Sequence, residues 1–363
     1  MGPLISENLL SEFKVELPHN ILKQAQDFVR AMFKIRMSQA YRDLLLPGMT
    51  SQGLIDPGNY GIAMSYDFHI NEEGDLKLIE INTNASFLAL GNWLYAAHKM
   101  PQPVANFSID EIRQNVVDEL SAFGLTGHIP RISIMDEKPE DQRLYAEFLV
   151  YQQLFQGWGF DTRIQDLTDV DQNSNFIYNR YTDFGLTEAK SVKLRKLYLN
   201  KEACFSPNPY EYFLLADKQR MIDLRNLDFV TQLNLSDDDK SILWRHLPRA
   251  EELVPATAEK IWSERKGLFF KPKNSFGAKQ SFKGASISRR AFDELPAKGF
   301  IAQEYVAAPE RKFFTPEGEQ SFKFDLRFYA YRDRVQSVVA RLYQGQVTNL
   351  RTPFGGFAPV SLI

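Results

Sequence analysis

The chain has 363 residues, of which 44% are hydrophobic and 25% charged, and carries a net charge of −3. That length suffices for two or three domains with a large core, and 28 Phe with 15 Tyr exclude global disorder. The charge gives no general attraction to nucleic acid or anionic membrane, and a single cysteine with five histidines excludes an internal disulfide and offers no zinc site.

No basic segment followed by an apolar run opens the chain, so no signal peptide is expected. No stretch reaches the ~18 apolar residues of a membrane span. Met1-Gly2 with Ser6 meets only the loose myristoylation pattern. The expectation is a cytoplasmic protein with Cys204 reduced, and no nucleic-acid or membrane partner.

Ile21, Ala25, Phe28, Met32 and Ile35 recur at steps of four and three, which predicts one amphipathic helix over 20–45, ended by LLLPGM. Ile62–Ile70 and Leu76–Asn82 read as two strands of a hairpin, and 87–100 as a helix closed by Pro101. The composition shifts over 101–130. An α/β rhythm follows: strand 131–136, helix 139–156, and short strands at 162–165, 176–181 and 203–205. Such alternation predicts a partly parallel sheet. PNPYEYFLLADKQRMIDLRN reads as a helix, and 234–265 as mostly helical. From Gly267 the pattern turns to strands at 268–273, 300–306, 323–331 and 335–343, rich in aromatic and β-branched residues.

The segment DFHINEEGDLKLIEINTN carries the most chemistry. With a loop at Glu72–Asp75, Asn71 faces Leu76 and Asp67 faces Glu80. Opposed residues of an antiparallel pair have Cβ atoms about 4.5–5.5 Å apart, and two like charges there destabilise a sheet unless neutralised. Asn82 shares the face of Glu80. Three hard oxygen ligands suit Mg²⁺, which binds few carboxylates and leaves room for phosphate oxygens. A solvated acidic hairpin fits the same residues.

FFKPKNSFGAKQSFKG places Lys271 and Lys273 on one strand face, followed by Gly277, Lys279, Lys283 and Gly284. Glycines let backbone N–H groups approach an anion, so a phosphate clamp and a solvated basic hairpin are both open. No P-loop or dinucleotide glycine motif is present. FIAQEYVAAPE runs as a strand into a small-residue loop, either an adenine-facing hinge or a buried strand. In FDLRFYAYRDRVQSVVAR, a loop at Arg332–Arg334 pairs Tyr331 with Val335 and sets Asp325 opposite Arg341. That pair is either a cross-strand ion pair or an arginine facing a phosphate or oxyanion, with Asp325 orienting it and Arg327 a second candidate. GQVTNLRTPFGG adds Asn349, Arg351, Gly355 and Gly356. Asn179, Arg180 and Asp183 in YNRYTDF follow a strand end, where α/β sheets bind ligands. They read equally as strand-end hydrogen bonders.

Together these pieces resemble the ATP-grasp superfamily. There a KP-type lysine opens the lid, a hinge like QEYV holds adenine, a strand like DLRFY leads to an arginine and an Asn-containing Gly loop, and an acidic residue with E-x-N completes the magnesium site. VVARLYQGQVTNLRTPFGG is similar to the corresponding stretch of the glutathione synthetase and ribosomal-protein glutamate ligase branches. Here Asp67 with IEIN comes first and the lid and hinge last. That order resembles the circularly permuted arrangement of glutathionylspermidine synthetase. The resemblance spans 60–90 and 205–360. YNRYTDF is similar to the pre-ATP-grasp domain of bacterial members of the permuted group.

The resemblance implies an α/β (α+β) fold, an ATP-grasp core in permuted order with an α/β pre-ATP-grasp domain and a small lid. It divides the chain into N-terminal helices plus the magnesium hairpin (1–125), the pre-ATP-grasp domain (126–215), linker helices and lid (216–306), and the rest of the core (307–363). It implies ATP and Mg²⁺, the metal on Asp67, Glu80 and Asn82. Lys271, Lys273 and, from the Asp217-Lys218 pair, Lys218 would neutralise phosphate. Ile222 departs from the pattern, standing where some relatives have a further lysine. Gln303, Glu304, Tyr305 and Val306 would line the adenine site, Glu310 would meet the ribose, and Asp325 would serve the nucleotide site. Arg341, Asn349 and Arg327 would be catalytic. Asn179, Arg180 and Asp183 would meet the substrate.

The implied activity is a carboxylate–amine or carboxylate–thiol ligase. It would act through an acyl phosphate on an amino-acid or peptide-like substrate, with a homodimer as a family-style expectation. No Ser–His–Asp or Cys–His grouping is needed for such chemistry. A phosphotransferase on the same fold, or an ATP-binding regulatory protein without chemistry, are the alternatives.

Overall fold

The computed structural model describes residues 9–105, 107–273 and 281–363. In chain order the first elements are β1 (Val15–Leu17), α1 (His19–Met37), α2 (Gln39–Ser51), β2 (Met64–Ile70), β3 (Leu76–Asn82), α3 (Leu88–Ala97) and α4 (Glu111–Phe123). An α/β segment follows, with β4 (Arg131–Asp136), α5 (Tyr145–Gly157), β5 (Asp161–Asp166), β6 (Phe176–Asn179), α6 (Val192–Leu199) and β7 (Cys204–Ser206). The rest is mainly strand: β8 (Ala250–Leu253), β9 (Leu268–Pro272), β10 (Phe282–Lys283), β11 (Phe300–Glu304), β12 (Glu310–Thr315), β13 (Gly318–Tyr331), β14 (Arg334–Tyr343), β15 (Gly356–Ala358) and β16 (Val360–Leu362).

A six-stranded sheet in the order β15-β14-β13-β2-β3, with β12 beside the first half of β13, forms the centre. Its strands come from opposite ends of the chain: β2 pairs β13 antiparallel, setting Asp67 against Arg327. The two faces follow the period-2 alternation of β13. Phe322, Phe324, Leu326 and Phe328 join Phe28, Met32 and Ile35 of α1 in one core. Tyr329, Tyr331, Val339 and Phe357 join Phe87, Leu90 and Leu94 in a second core, on the other face. That second face is apolar where α3 covers it. It carries Asp67, Asp325, Arg327 and Arg341 where α3 ends. The α/β segment forms an all-parallel sheet, β5-β4-β6-β7, against an expectation of a partly parallel one. The segment expected to form the lid is an antiparallel sheet, β10-β9-β11-β8, packed around Phe270, Phe292 and Ile261.

The apolar stripe of α1 is buried at all five expected positions. The single helix expected over 20–45 is two, because Ser38 is extended (φ −64°, ψ 127°) and restarts the chain as the cap of α2. Pro47 does not end α2, which runs to Ser51 with Leu45 and Met49 buried. A proline costs a helix one hydrogen bond, and burial of this face offsets that loss. The 207–226 helix is broken into Pro209–Glu211, a π-helical turn at Tyr212–Ala216 and a short helix at Gln219–Asp223. Helix α4 and the strands β1, β8, β12, β15 and β16 were not expected. These strands are three to six residues of ordinary composition; β1, β16 and β8 are ordered by pairing with distant partners, and β12 and β15 by pairing with the strands next to them in sequence. No helix among the described residues is long and apolar enough to cross a membrane.

Candidate functional site

Two hairpins set the site, and each contains a compensated irregularity. The first turn is longer than expected: Ile70, not Asn71, faces Leu76, while the Asn71 side chain accepts from the Asp75 amide (2.7 Å). Continued unchanged, that register would set Asp67 opposite Ile79. A β-bulge intervenes between Asp67 and Phe68, so Asp67 faces Glu80 and Ile79 is the extra residue. The second hairpin closes on Tyr331–Arg334 with a two-residue turn, Arg332 adopting φ +54°. A bulge next to Ala330 restores Asp325 opposite Arg341. Both facing pairs therefore occur as expected, through turns that differ from those expected. The Ile79 bulge also has a use: its carbonyl accepts from Nζ of Lys271 on the lid (2.8 Å).

Asp67 lies at the middle of the charge cluster and is fully buried. It accepts from Arg327 Nε (2.9 Å) and Nη2 (2.7 Å), from Arg341 Nη2 (2.8 Å) and from Ser65 Oγ (3.1 Å). Asn82 Nδ2 approaches both Asp67 (3.2 Å) and Glu80 (3.4 Å). Burial pushes the Asp67 carboxyl up, but the two guanidinium groups more than offset it and hold it at about 2. Arg341 also forks onto Asp325 (2.7 and 2.9 Å), and Thr348 Oγ1 donates to Asp325 (2.5 Å). These are charge-assisted, bidentate contacts that fix both arginine planes.

No three His, Cys, Asp or Glu side chains among the described residues converge as a metal-binding group. The donors not committed to arginine are Glu80 and the amide oxygen of Asn82. That set fits one magnesium ion taking its other ligands from phosphate and water. Asp67, by contrast, is committed to holding arginines.

A cavity of about 390 Å³ lies between this sheet and the lid. The hinge Gln303–Val306 forms one wall. Backbone Glu304 N donates to Arg249 (2.7 Å) and Tyr305 N to Gly267 (2.8 Å), while the Val306 carbonyl faces His69 Nδ1 (2.9 Å). Val306 N–H has no acceptor among the described residues, so it is open to a ligand. Phe269 and Tyr305 stack at 6.3 Å as a flat apolar wall. Gln303 Nε2 donates to the Leu78 carbonyl (3.3 Å), and the Glu304 carboxylate turns to the Arg249 amide (3.1 Å).

Lys271 and Lys218 line the next part of the cavity with Glu80 and Arg341. Burial pulls the Lys271 ammonium down to about 8, against the opposing pull of Glu80. Burial likewise lowers Lys218, with Glu80 and Asp217 opposing. Lys218 sits where the π-helical turn ends, a break that points it back at the sheet; such turns recur at functional sites. Thr348, Asn349, Arg351 and Arg143 also line the cavity.

Several expected site residues lie elsewhere or are otherwise engaged. Lys273 pairs with Glu252 of β8, outside the cavity lining. Lys283 sits over the Tyr305 ring (4.3 Å). Gly277 and Lys279 lie outside the described residues. Glu310 is exposed on β12 and accepts from Ser321 (3.0 Å). Asn349 staples its own loop, donating to Gln344 (2.8 Å) and accepting from the Arg351 amide (3.1 Å) and Thr352 Oγ1 (3.0 Å). Asn179 approaches the Pro207 carbonyl (3.4 Å), Arg180 binds the Asn84 and Ala85 carbonyls, and Asp183 accepts from the Thr187 and Glu188 amides and Ser191 Oγ. All three are buried hydrogen bonders: Arg180 knits the α/β segment to the loop after β3, while Asn179 and Asp183 brace the α/β segment itself. His69, Thr348 and Arg143 were not anticipated. His69 shares the face of Asp67 two residues away, a signal present in the sequence. Arg143 had none, because its approach depends on how α5 docks.

No protein-family model matches the chain, and no curated protein matches its sequence. Among solved structures it is similar to a glutathione synthetase-like effector, GSS30, of Globodera pallida in its apo form. The identity is 14%, covering 98% of this chain and 90% of that one, with a TM-score of 0.61. A putative gamma-glutamylcysteine synthetase of Methylobacillus flagellatus KT matches at 10% identity over 92% of this chain and 86% of that one (TM-score 0.46). The ATP-grasp ligase PsnB, complexed with a minimal precursor, matches at 11% over 64% and 90% (TM-score 0.31). The chain shares the overall fold of that glutathione synthetase-like effector, an ATP-grasp fold.

Proposed function

We propose that the chain is an ATP-dependent ligase that activates a carboxylate as an acyl phosphate and passes it to an amine or thiol. The observation that carries this reading is the convergence of Lys218, Lys271, Arg341 and Glu80 on one cavity beneath an open hinge amide. The hinge binds the adenine through backbone and stacks it against Phe269 and Tyr305. Lys218 and Lys271 neutralise phosphate charge, and Arg341, held in plane by Asp67 and Asp325, stabilises charge developing on the transferring group. Magnesium on Glu80 and Asn82 supplies Lewis acidity and a template when bound. No protein nucleophile is required, since positioning and electrostatics suffice. The pairing of β2 with β13 supports a permuted order of the ATP-grasp core as part of the same proposal.

One observation favours a second reading, a nucleotide binder without chemistry: both oxygens of Asp67 are occupied by arginine. Phosphoryl transfer separates the two. A screen of paired carboxylates and amines, read by ADP release, is expected to find turnover. Glu80→Ala and Lys271→Ala each lower it about 10²–10³-fold with circular dichroism unchanged. An amide product with ADP and phosphate distinguishes a ligase from a phosphotransferase. Turnover equal to wild type in both variants rejects the site.

A further inference from the structure

Three side chains that line the cavity join the β10-β9-β11-β8 sheet and its hinge to the six-stranded sheet. Two reach from the smaller sheet to carbonyls of β3: Lys271 Nζ to Ile79 (2.8 Å) and Gln303 Nε2 to Leu78 (3.3 Å). The third runs the other way. From β2, Nδ1 of the half-buried His69 lies 2.9 Å from the Val306 carbonyl, 237 residues away in sequence. A carbonyl only accepts, so Nδ1 carries the hydrogen and donates. The His69 side chain makes no other hydrogen bond or ion pair among the described residues. Of the three contacts, this one alone holds the backbone of the hinge.

The contact occupies the Val306 carbonyl and leaves the Val306 N–H open. At this residue the hinge therefore offers a ligand a donor, with the neighbouring acceptor already covered. Adenine meets such an edge with N1, an acceptor. Guanine presents N1–H, which sets donor against donor. The Val306 carbonyl is the group to which that donor could turn, and His69 covers it. A donor buried without a partner costs more than a good hydrogen bond contributes, and specificity commonly rests on that penalty.

We propose, on the nucleotide-site reading above, that His69 is a positioning residue of the hinge. Its Nδ1–H fixes the Val306 carbonyl, presents the Val306 amide to the base, and selects adenine over guanine by covering the one acceptor beside that amide. The selectivity is thus set from the six-stranded sheet, by a side chain two residues from Asp67 on the same strand face.

Titration calorimetry of the full chain with magnesium AMP-PNP and magnesium GMP-PNP, together with hydrogen exchange without nucleotide, tests this in two variants. His69→Leu removes the donor at similar bulk, and His69→Asn keeps an amide donor near the Nδ1 position. His69→Leu is expected to weaken AMP-PNP about tenfold. It narrows the advantage of AMP-PNP over GMP-PNP by about fivefold and raises exchange over 303–306. His69→Asn recovers part of each change. A histidine that served stability alone would lower the unfolding midpoint and weaken both nucleotides alike. An unchanged AMP-PNP to GMP-PNP ratio in His69→Leu therefore overturns the selectivity, and unchanged exchange in the hinge overturns the positioning. Equal effects of leucine and asparagine overturn the role of the Nδ1 donor. If neither nucleotide binds the wild type, the nucleotide-site reading fails and the selectivity with it, while the exchange comparison still decides whether His69 holds the hinge.

Discussion

Lys271 shows what burial does to a single charge. Its ammonium is almost fully enclosed, donates to the Ile79 carbonyl, and is pulled from the ordinary lysine range to about 8. A phosphate ligand needs it protonated. Nucleotide affinity of the resting protein is therefore expected to fall as pH rises through about 8, by up to tenfold per pH unit. Fluorescent-nucleotide titrations between pH 7 and 9.5 check this. In Lys271→Arg the charge persists and the profile flattens. Stability runs the other way. The folded lysine loses its proton near 8 while the unfolded one keeps it to its ordinary value, so the unfolded state binds more protons in that window. Stability then rises there by up to about 1.4 kcal/mol per pH unit, and denaturant midpoints that stay flat would reject the burial argument. Lys271 itself was legible as a strand lysine before a glycine loop. Its depressed pKa was not, because that depends on the β9–β11 sheet burying the ammonium against the Ile79 carbonyl, a loss of solvation that the nearby Glu80 only partly offsets.

At the scale of elements, the lid shows a glycine used for packing. Gly284 was read as a place for backbone to approach an anion. In the fold a Cβ there would lie 2.0 Å from the Arg265 carbonyl oxygen and 2.9 Å from that of Leu268. Its backbone φ is not left-handed, so the requirement is space alone. Gly284→Ala is expected to destabilise the lid by about 1–3 kcal/mol or more. Hydrogen exchange should rise over 268–272 and 300–304 while the six-stranded sheet is unaffected. Unchanged exchange in the lid would show that the loop relaxes freely. The hairpins teach a related lesson. The assumed loops placed Asp67 against Glu80 and Asp325 against Arg341, and both pairs occur in the fold. The turns were misread, because turn length and bulge compensate each other and the hydrophobic pattern constrains only their sum.

For the whole molecule, the closure of the two chain ends is the feature with the largest consequence. Phe357 on β15 stacks on Phe87 at 3.6 Å with rings nearly parallel, and β16 pairs with β1. Tyr95 Oη donates to the Val338 carbonyl (2.7 Å) and accepts from the Val360 amide (2.9 Å). Phe357→Ala is expected to cost about 3–5 kcal/mol in the six-stranded body, read as a lower urea midpoint for that transition with the lid transition unmoved. An unmoved midpoint for both would mean that this contact is dispensable. By itself the sequence determined the strands that alternate apolar and polar residues and the helix α1 with its apolar stripe, while the two facing charged pairs also needed the bulges that offset the turns. The strands and the helix follow from local periodicity and the need to bury one face. Only the tertiary structure decided that Asp67 is shared by two arginines from the far end of the chain. It likewise decided that Arg180 serves carbonyls, that Arg143 reaches the cavity, and that β1, β15 and β16 form at all. These depend on which surfaces meet across some 250 residues of chain, and no local spacing encodes that.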